Sequence, residues 1–278
     1  MDVNKLLRRL YAVSWLSWQE LSNWTHPLVF IAYIIVRPLF GILLYAYIYV
    51  AIVIASGKVD PSSAFYLITG ASFYNYIGNG LYGVVWVIHD ERDHYRLLKY
   101  TYISYPSLQG YLIARGLVYY LIGIALSTVS LVVGLAVTGL GIQLLPNIPL
   151  LIVNLIIGAI WCTSLSIVVS SLSLFSSEYG PLIAESMGGL LFLVGNVIFP
   201  VEKLPYWLYL IAEAIPMKEW MEITRYSINV NYPISNIFDL LFSEIVKTMV
   251  YVIFSYVFFR IMDKLVRIKG NLEASMEH

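Results

Sequence analysis

One apolar run constrains this chain more than any other feature. From Leu28 to Ala55 the sequence has 28 residues, and Arg37 is the single charged side chain among them. As a helix this run rises about 42 Å, which exceeds the ~30 Å hydrocarbon core of a bilayer. The whole chain is 59% hydrophobic and only 12% charged, whereas soluble domains carry roughly 25% charged residues. We therefore predict an all-α integral membrane protein, and the composition excludes a soluble enzyme, a disordered chain and a nucleic-acid binder.

Six apolar runs predict six transmembrane helices, which form a single transmembrane domain over residues 1–278. The predicted spans are residues 28–55, 64–88, 112–137, 148–172, 182–199 and 240–261. Lys and Arg are enriched in the cytoplasmic connections of membrane proteins. With the N-terminus inside, eleven of these cations fall in cytoplasmic segments and four, Lys58, Lys203, Lys218 and Arg225, fall outside. This bias places both termini in the cytoplasm.

Residues 1–26 predict an amphipathic helix that lies along the inner leaflet of the membrane. On a helical wheel, most apolar residues from Val3 to Leu21 share one side, while Lys5, Arg8 and Arg9 lie on the other. Three tryptophans suit the headgroup region, namely Trp15, Trp18 and Trp24. The alternative interpretation is an ordinary helix that packs against the rest of the protein.

Two connections carry more sequence than a simple turn needs. The cytoplasmic segment His89–Gln109 is densely charged, although a few residues suffice to join two helices. This segment suggests a surface for a soluble partner, with Leu97 and Leu98 as anchors, so substitutions at Glu91 or Leu97 should barely change stability. The alternative is an interfacial helix that only satisfies the charge bias.

The extracellular segment Pro200–Asp239 contains short apolar-periodic pieces of its own. They predict one amphipathic helix that ends before Pro216 and a second helix over Lys218–Ile228. The fold therefore includes short outer, re-entrant helices between spans five and six.

Motifs for enzymatic chemistry are absent from the sequence. There is no Gly-x-x-x-x-Gly-Lys-Ser/Thr phosphate loop, and Cys162 is the only cysteine. His89 and His94 are five residues apart, which separates them by about 140° around a helix, so they do not form a metal site. We expect no catalytic residue, no bound metal and no cofactor on this chain. Any energy for transport must come from a gradient or from a partner chain.

A set of outer residues resembles a known family. Pro200, Leu204 and Pro205, followed by Pro216 and Arg225, are similar to the outer loop of type-2 ATP-binding-cassette exporter permeases. The six-span plan, the N-terminal interfacial helix and the Arg37-Pro38 pair are similar too, so the resemblance covers nearly the whole chain.

This resemblance implies how the protein works. It implies a permease in the plasma membrane that pairs with a second copy or a related chain and exports amphipathic cargo, such as a drug, a lipid or a lipid-linked glycan. A separate ATPase subunit would bind ATP and Mg²⁺. The segment after the second span would be the coupling helix that contacts this subunit, through Glu91, Arg92, Asp93, Arg96, Leu97, Leu98 and Lys99.

A polar and aromatic stripe runs along the second span. On a helical wheel it lies within about 80°, and it consists of Ser72, Asn75, Asn79, Tyr82 and Trp86. An amide in hydrocarbon must find a partner, so the stripe faces protein or water. It forms either the wall of a translocation path or a helix–helix contact.

Four charged residues fall inside predicted spans, namely Arg37, Glu185, Glu244 and Lys247. Such charges cost about 2.5–3.5 kcal/mol at the bilayer centre. Glu244 and Lys247 are three residues apart, so we expect them to pair on one face of their helix. Two other functions remain as alternatives: a gradient-driven secondary carrier, and a membrane-embedded lipid-linked sugar transferase.

Overall fold

The computed structural model describes residues 3–23, 25–105, 107–139, 144–175 and 179–269. Within these ranges the chain forms ten α-helices and no strand. The helices are α1 Val3–Ser22, α2 Pro27–Ser56, α3 Pro61–His89, α4 Leu98–Ser104, α5 Leu108–Thr138, α6 Ile148–Phe175, α7 Tyr179–Val194, α8 Tyr206–Ala214, α9 Met217–Ile228 and α10 Ile237–Lys269. A π-helical turn, Asp90–His94, follows α3, and a 3₁₀ turn, Val201–Lys203, precedes α8.

Three of the described helices are long and apolar enough to cross a membrane. They are α2, α5 and the Ile148–Leu174 part of α6. The apolar part of α7, Leu182–Val194, is shorter. Helices α3 and α10 are long, but they carry the Gly, Asn and charged residues that lower their apolar content. The chain is therefore an all-helical protein whose apolar helices are compatible with a membrane location.

Helix breakers in the sequence set the ends of the helices. Pro27 occupies the first turn of α2, and Gly57 ends that helix with a φ of 66° while its N–H donates to the Val53 carbonyl at 2.9 Å. The predicted fifth span, 182–199, is wrong at its outer end. Helix α7 stops at Val194, because the chain turns at Asn196 with a φ of 60°.

Helix α3 lies at the centre of the bundle and packs against α2, α5, α6 and α7. Glycines allow its close approach to α5. A Cβ added at Gly80 would lie 2.0 Å from the Tyr120 ring, and one at Gly123 would lie 3.0 Å from the Tyr76 Cα atom. A helix that faces protein on most sides does not need the apolar surface of one that faces lipid, which accounts for the Gly, Asn and Tyr residues along α3.

Helix α1 has one face that packs on the bundle and one face that is exposed. The packed face contacts α5, where Ser14 Oγ donates to the Ala114 carbonyl at 2.9 Å and Glu20 pairs with Arg115. The exposed face carries Tyr11 and Trp15. The helix therefore packs on the bundle and still presents aromatic side chains suited to a headgroup region. Trp24 lies outside the described residues.

Candidate functional site

A cavity of about 530 Å³ opens between α2, α3, α5 and α7. Four of the five residues of the predicted stripe line it, namely Asn75, Asn79, Tyr82 and Trp86. The fifth, Ser72, is fully buried in the bundle and does not line the cavity. Further aromatic side chains complete the wall: Tyr33, Tyr45, Tyr74, Tyr119 and Phe192.

The amides of the stripe serve both packing and the cavity wall. Asn75 Nδ2 donates to Ser130 Oγ on α5 at 3.2 Å, and Asn79 Nδ2 donates to the Asn75 carbonyl at 2.7 Å. Each amide thus satisfies a donor within the bundle while the side chain borders the cavity. The two interpretations of the stripe, helix contact and path wall, are therefore compatible at these residues.

Glu185 brings a carboxylate to the cavity from α7. Its Oε2 lies 3.4 Å from the Tyr82 hydroxyl, and it is the only acidic residue among the described residues that line the cavity. One turn further along α7, the Gly188 carbonyl accepts a hydrogen bond of 2.7 Å from Tyr74. Arg37 is helical in α2 beside Pro38, which lines the cavity, but the Arg37 side chain lies outside the described part of the protein.

The segment between α3 and α5 is built around a buried arginine. Arg92 Nη1 donates to the Ser173 carbonyl at 2.7 Å, and Nη2 donates to the Leu174 carbonyl at 2.8 Å. These carbonyls belong to the last turn of α6, where a helix has no intrahelical donors left and favours a cation. Arg92 therefore caps α6 and fixes the segment to the bundle.

Glu91 is buried next to Arg92 and accepts a hydrogen bond from the Tyr111 hydroxyl. Burial raises the pKa of this carboxyl, and the hydrogen bond from Tyr111 partly opposes the rise. Leu98 is 2% exposed and packs in a hydrophobic cluster with Val87 and Leu112. The bundle itself covers Glu91, Arg92 and Leu98, and their contact with a partner stays a prediction.

Other side chains of the segment remain at the surface. Leu97 is about half exposed, and Asp93, Arg96 and Lys99 are exposed or partly exposed. The sequence analysis missed Tyr100 and Ile103, which are 66% and 75% exposed. Their spacing of three residues places them on one face of α4, and this spacing in the sequence could have identified them.

Arg225 joins the outer segment to the bundle. It is fully buried, and its Nη2 donates to the carbonyls of Asn196 at 2.7 Å and Val197 at 3.1 Å. Its guanidinium also lies 3.6 Å from the centre of the Tyr66 ring. Burial lowers the pKa of this guanidinium. A Cβ at Gly70 would lie 1.9 Å from the Val197 oxygen, so this glycine makes room for the contact.

The prolines of the same motif begin short elements in the outer segment. Pro200 precedes the 3₁₀ turn, Pro205 precedes α8 and Pro216 precedes α9. Leu204 lies between the first two elements and packs against the main core. Two short helices, α8 and α9, occupy this segment, with bounds close to those predicted.

The intrahelical pair predicted for Glu244 and Lys247 is wrong. Lys247 Nζ instead lies 2.5 Å from Glu219 Oε1 on α9, and Ser243 Oγ donates to the same oxygen at 3.0 Å. Glu244 is 0% exposed, and neither of its carboxylate oxygens has a hydrogen-bond partner among the described residues. Lys247 reaches across to α9, while the Glu244 carboxyl lies inside the bundle.

Acidic and metal-binding side chains do not converge in the part of the chain that the structure describes: no three His, Cys, Asp or Glu residues group there as metal ligands. His89 Nδ1 lies 3.0 Å from Asp93 Oδ2, and Cys162 is buried. The chain matches no protein-family model and no curated protein sequence.

Proposed function

We propose that this chain is the permease subunit of an ATP-driven exporter of the type-2 ATP-binding-cassette family. In this proposal α2, α3, α5, α6, α7 and α10 are six spans with both termini in the cytoplasm, in the plasma membrane. A second copy or a related chain completes the path, and separate ATPase subunits bind ATP and Mg²⁺. The cavity lined by the polar and aromatic stripe of α3 carries the proposal.

The lining of this cavity supports an amphipathic cargo. Its aromatic rings offer flat apolar surfaces, and Asn75 and Asn79 offer polar atoms between them. Ligand sites in membrane bundles combine these two features, because the rings supply contact area and a few polar groups set orientation. The proposed cargo is a drug-like molecule, a lipid or a lipid-linked glycan.

The exposed side chains around α4 support a partner in the cytoplasm. Leu97, Tyr100 and Ile103 present apolar surface next to Lys99. Interfaces commonly place such apolar anchors inside a charged rim. In the proposal this surface, rather than the buried Glu91 and Leu98, contacts the ATPase subunit.

Co-expression with candidate ATPase chains tests the proposal directly. We expect an ATPase chain to copurify with the permease and the permease alone to hydrolyse no ATP. Ile103→Asp should abolish cargo-stimulated hydrolysis without changing the melting temperature of the permease. Leu98→Asp makes the same change at a buried position and should lower both the cargo-stimulated hydrolysis and the melting temperature. Cargo-stimulated hydrolysis that survives Ile103→Asp would refute the α4 surface.

Cysteine labelling tests the orientation. A cysteine introduced at Ser104 should react with a membrane-impermeant reagent only from the cytoplasmic side, and one at Lys203 only from outside. Native Cys162 is buried and gives the unlabelled background. The reverse labelling pattern would overturn the proposed topology.

A gradient-driven secondary carrier is the second candidate, and Glu244 favours it. Membrane proteins retain buried carboxyls mainly where these groups bind protons or ions. If proteoliposomes take up cargo in response to a pH gradient without ATP, and Glu244→Gln abolishes the uptake, the carrier proposal replaces the exporter proposal.

A further inference from the structure

A second cavity lies between the α4 region, the start of α5 and α10. Its volume is about 210 Å³, well above the ~30 Å³ that one water occupies. Side chains from three places meet there: Tyr102 and Tyr105 of the α4 region, the first residues of α5, and the last turns of α10. The two cavities share no lining residue.

Two arginines give this second cavity a positive charge. Arg260 and Arg267 both line it, and they are seven residues apart, so they lie on one face of α10. Asp263 is the only acidic residue among the lining side chains. Two guanidinium groups against one carboxylate leave an excess of one positive charge.

Hydrogen bonds hold both guanidinium groups in place. Arg267 Nε lies 2.8 Å from the Tyr102 hydroxyl and 3.2 Å from Asp263 Oδ2. Arg260 Nη2 donates to the Tyr256 hydroxyl at 2.8 Å. These contacts use one nitrogen of each fork, and an arginine fork presents five N–H donors in total. The remaining donors suit the oxygens of a phosphate group.

The start of α5 adds to the attraction for an anion. Ser107 caps this 31-residue helix, with its Oγ accepting from the Gly110 N–H at 3.3 Å, and Leu108 and Gln109 line the cavity. The first turn of a long helix carries a partial positive charge. The arginines and the helix start therefore favour the same ligand charge.

The surroundings of the cavity are those of a lipid site. Phe259 and Leu108 are buried lining residues and form its apolar side. One to two turns earlier on α10, Ile253 and Val257 are exposed on the same face as Arg260. An acyl chain can lie along these residues while its headgroup enters the cavity.

We propose that this cavity binds the phosphate of an anionic membrane lipid, with Arg260 and Arg267 as its ligands. The bound headgroup bridges the α4 region to α10, because Tyr102 and Arg267 both contact the same site. The proposal depends on a membrane location and on no transport activity, so its outcome is independent of the exporter proposal.

Lipid titration of the purified, detergent-solubilised protein tests this site. Phosphatidylglycerol should raise the melting temperature and remain bound in native mass spectrometry, because a ligand of the folded state stabilises it. Phosphatidylcholine with the same acyl chains and inorganic phosphate are the comparison ligands. Both should give a smaller rise at equal concentration.

Variants then locate the site. Arg260→Gln or Arg267→Gln should weaken the binding of phosphatidylglycerol about tenfold, equivalent to the loss of roughly one charge-assisted hydrogen bond. Lys264→Gln is the matched control, because Lys264 is exposed on the same helix and does not line the cavity.

Three results would overturn the lipid proposal. Equal stabilisation by phosphatidylcholine would remove the requirement for an anionic lipid. Equal stabilisation by inorganic phosphate would make the cavity a site for free anions. An equal loss of binding in Lys264→Gln would reduce the effect to the general positive charge of α10.

Discussion

Replacement of Arg225 by methionine tests how the outer segment is fixed to the bundle. The side chain is fully buried, and its Nε and Nη2 donate to the Tyr66 carbonyl at 3.3 and 3.2 Å as well as to the carbonyls of Asn196 and Val197. These carbonyls lie in α3 and in the turn after α7. Methionine keeps an apolar stem of similar length but supplies no donor.

The expected loss of stability follows from these contacts. A buried carbonyl that loses its donor costs about 1–3 kcal/mol. The carbonyls of Asn196 and Val197 would lose theirs, whereas the Tyr66 carbonyl lies within helix α3. Part of this cost is offset, because the variant no longer buries a charge and Arg225 Nη1 has no partner among the described residues. We expect a net loss of about 3 kcal/mol in the free energy of unfolding. At roughly 2–4 °C per kcal/mol, the melting temperature should fall by about 6–12 °C.

Thermal unfolding of the purified protein in detergent measures this loss. Arg9→Met on the exposed part of α1 is the control, since it makes the same chemical change at the surface. Arg225→Lys should lose most of the same stability, because one ammonium group cannot reach three separate carbonyls. A melting temperature of Arg225→Met equal to that of Arg9→Met would refute the structural role of Arg225.

Substitutions at three further buried positions, with Gly41 as an exposed control, are tested by the same melting assay. The stability of Glu91→Gln relative to wild type should increase as the pH rises from 5 to 8. Burial raises the pKa of the Glu91 carboxyl above its ordinary value of 4.5, so the folded wild type loses stability when this group ionises. Parallel curves of melting temperature against pH for the two proteins would contradict this. Gly70→Ala should destabilise the protein by about 2 kcal/mol, since its Cβ would meet the Val197 oxygen, whereas Gly41→Ala has open space and should stabilise by up to ~1 kcal/mol. An equal change in melting temperature for Gly70→Ala and Gly41→Ala would contradict the close packing at Gly70. Glu244→Gln should raise stability, because a neutral amide costs less to bury than a carboxylate without a partner; a loss of stability would indicate an ion held at this position.

The helices of this chain could be predicted because their determinants are local. Apolar runs of helix length mark α2, α5 and α6, and the residues that end them are adjacent in the sequence, as at Pro27 and Gly57. The turn at Asn196 was missed, although Gly195-Asn196 is a pair typical of turns, because the apolar residues on both sides of it suggested a continuous span. The stripe of α3 was found because periodicity alone places its members on one face.

The side-chain partners could not be predicted, because they depend on residues far apart in the sequence. Arg92 was predicted to contact an ATPase subunit, and only the fold brings it to the last turn of α6, 81 residues away at Ser173. Lys247 likewise had a nearby acid in the sequence at Glu244, but the packing of α9 offers Glu219 instead. Local spacing identifies which residues can pair and does not rank the distant alternatives.

The two buried arginines, Arg92 and Arg225, make the same kind of contact. Arg92 meets the carbonyls at the end of α6, and Arg225 meets the carbonyls after α7. In both cases a buried guanidinium donates to backbone carbonyls at or just after the end of a helix. Arg92 thus joins the segment after α3 to the end of α6, and Arg225 joins α9 to the turn after α7. In the exporter proposal, movement of α4 would then be transmitted through Arg92 to α6 and, through the α6–α9 contact of Asn154 with Trp220, toward the segment that Arg225 holds.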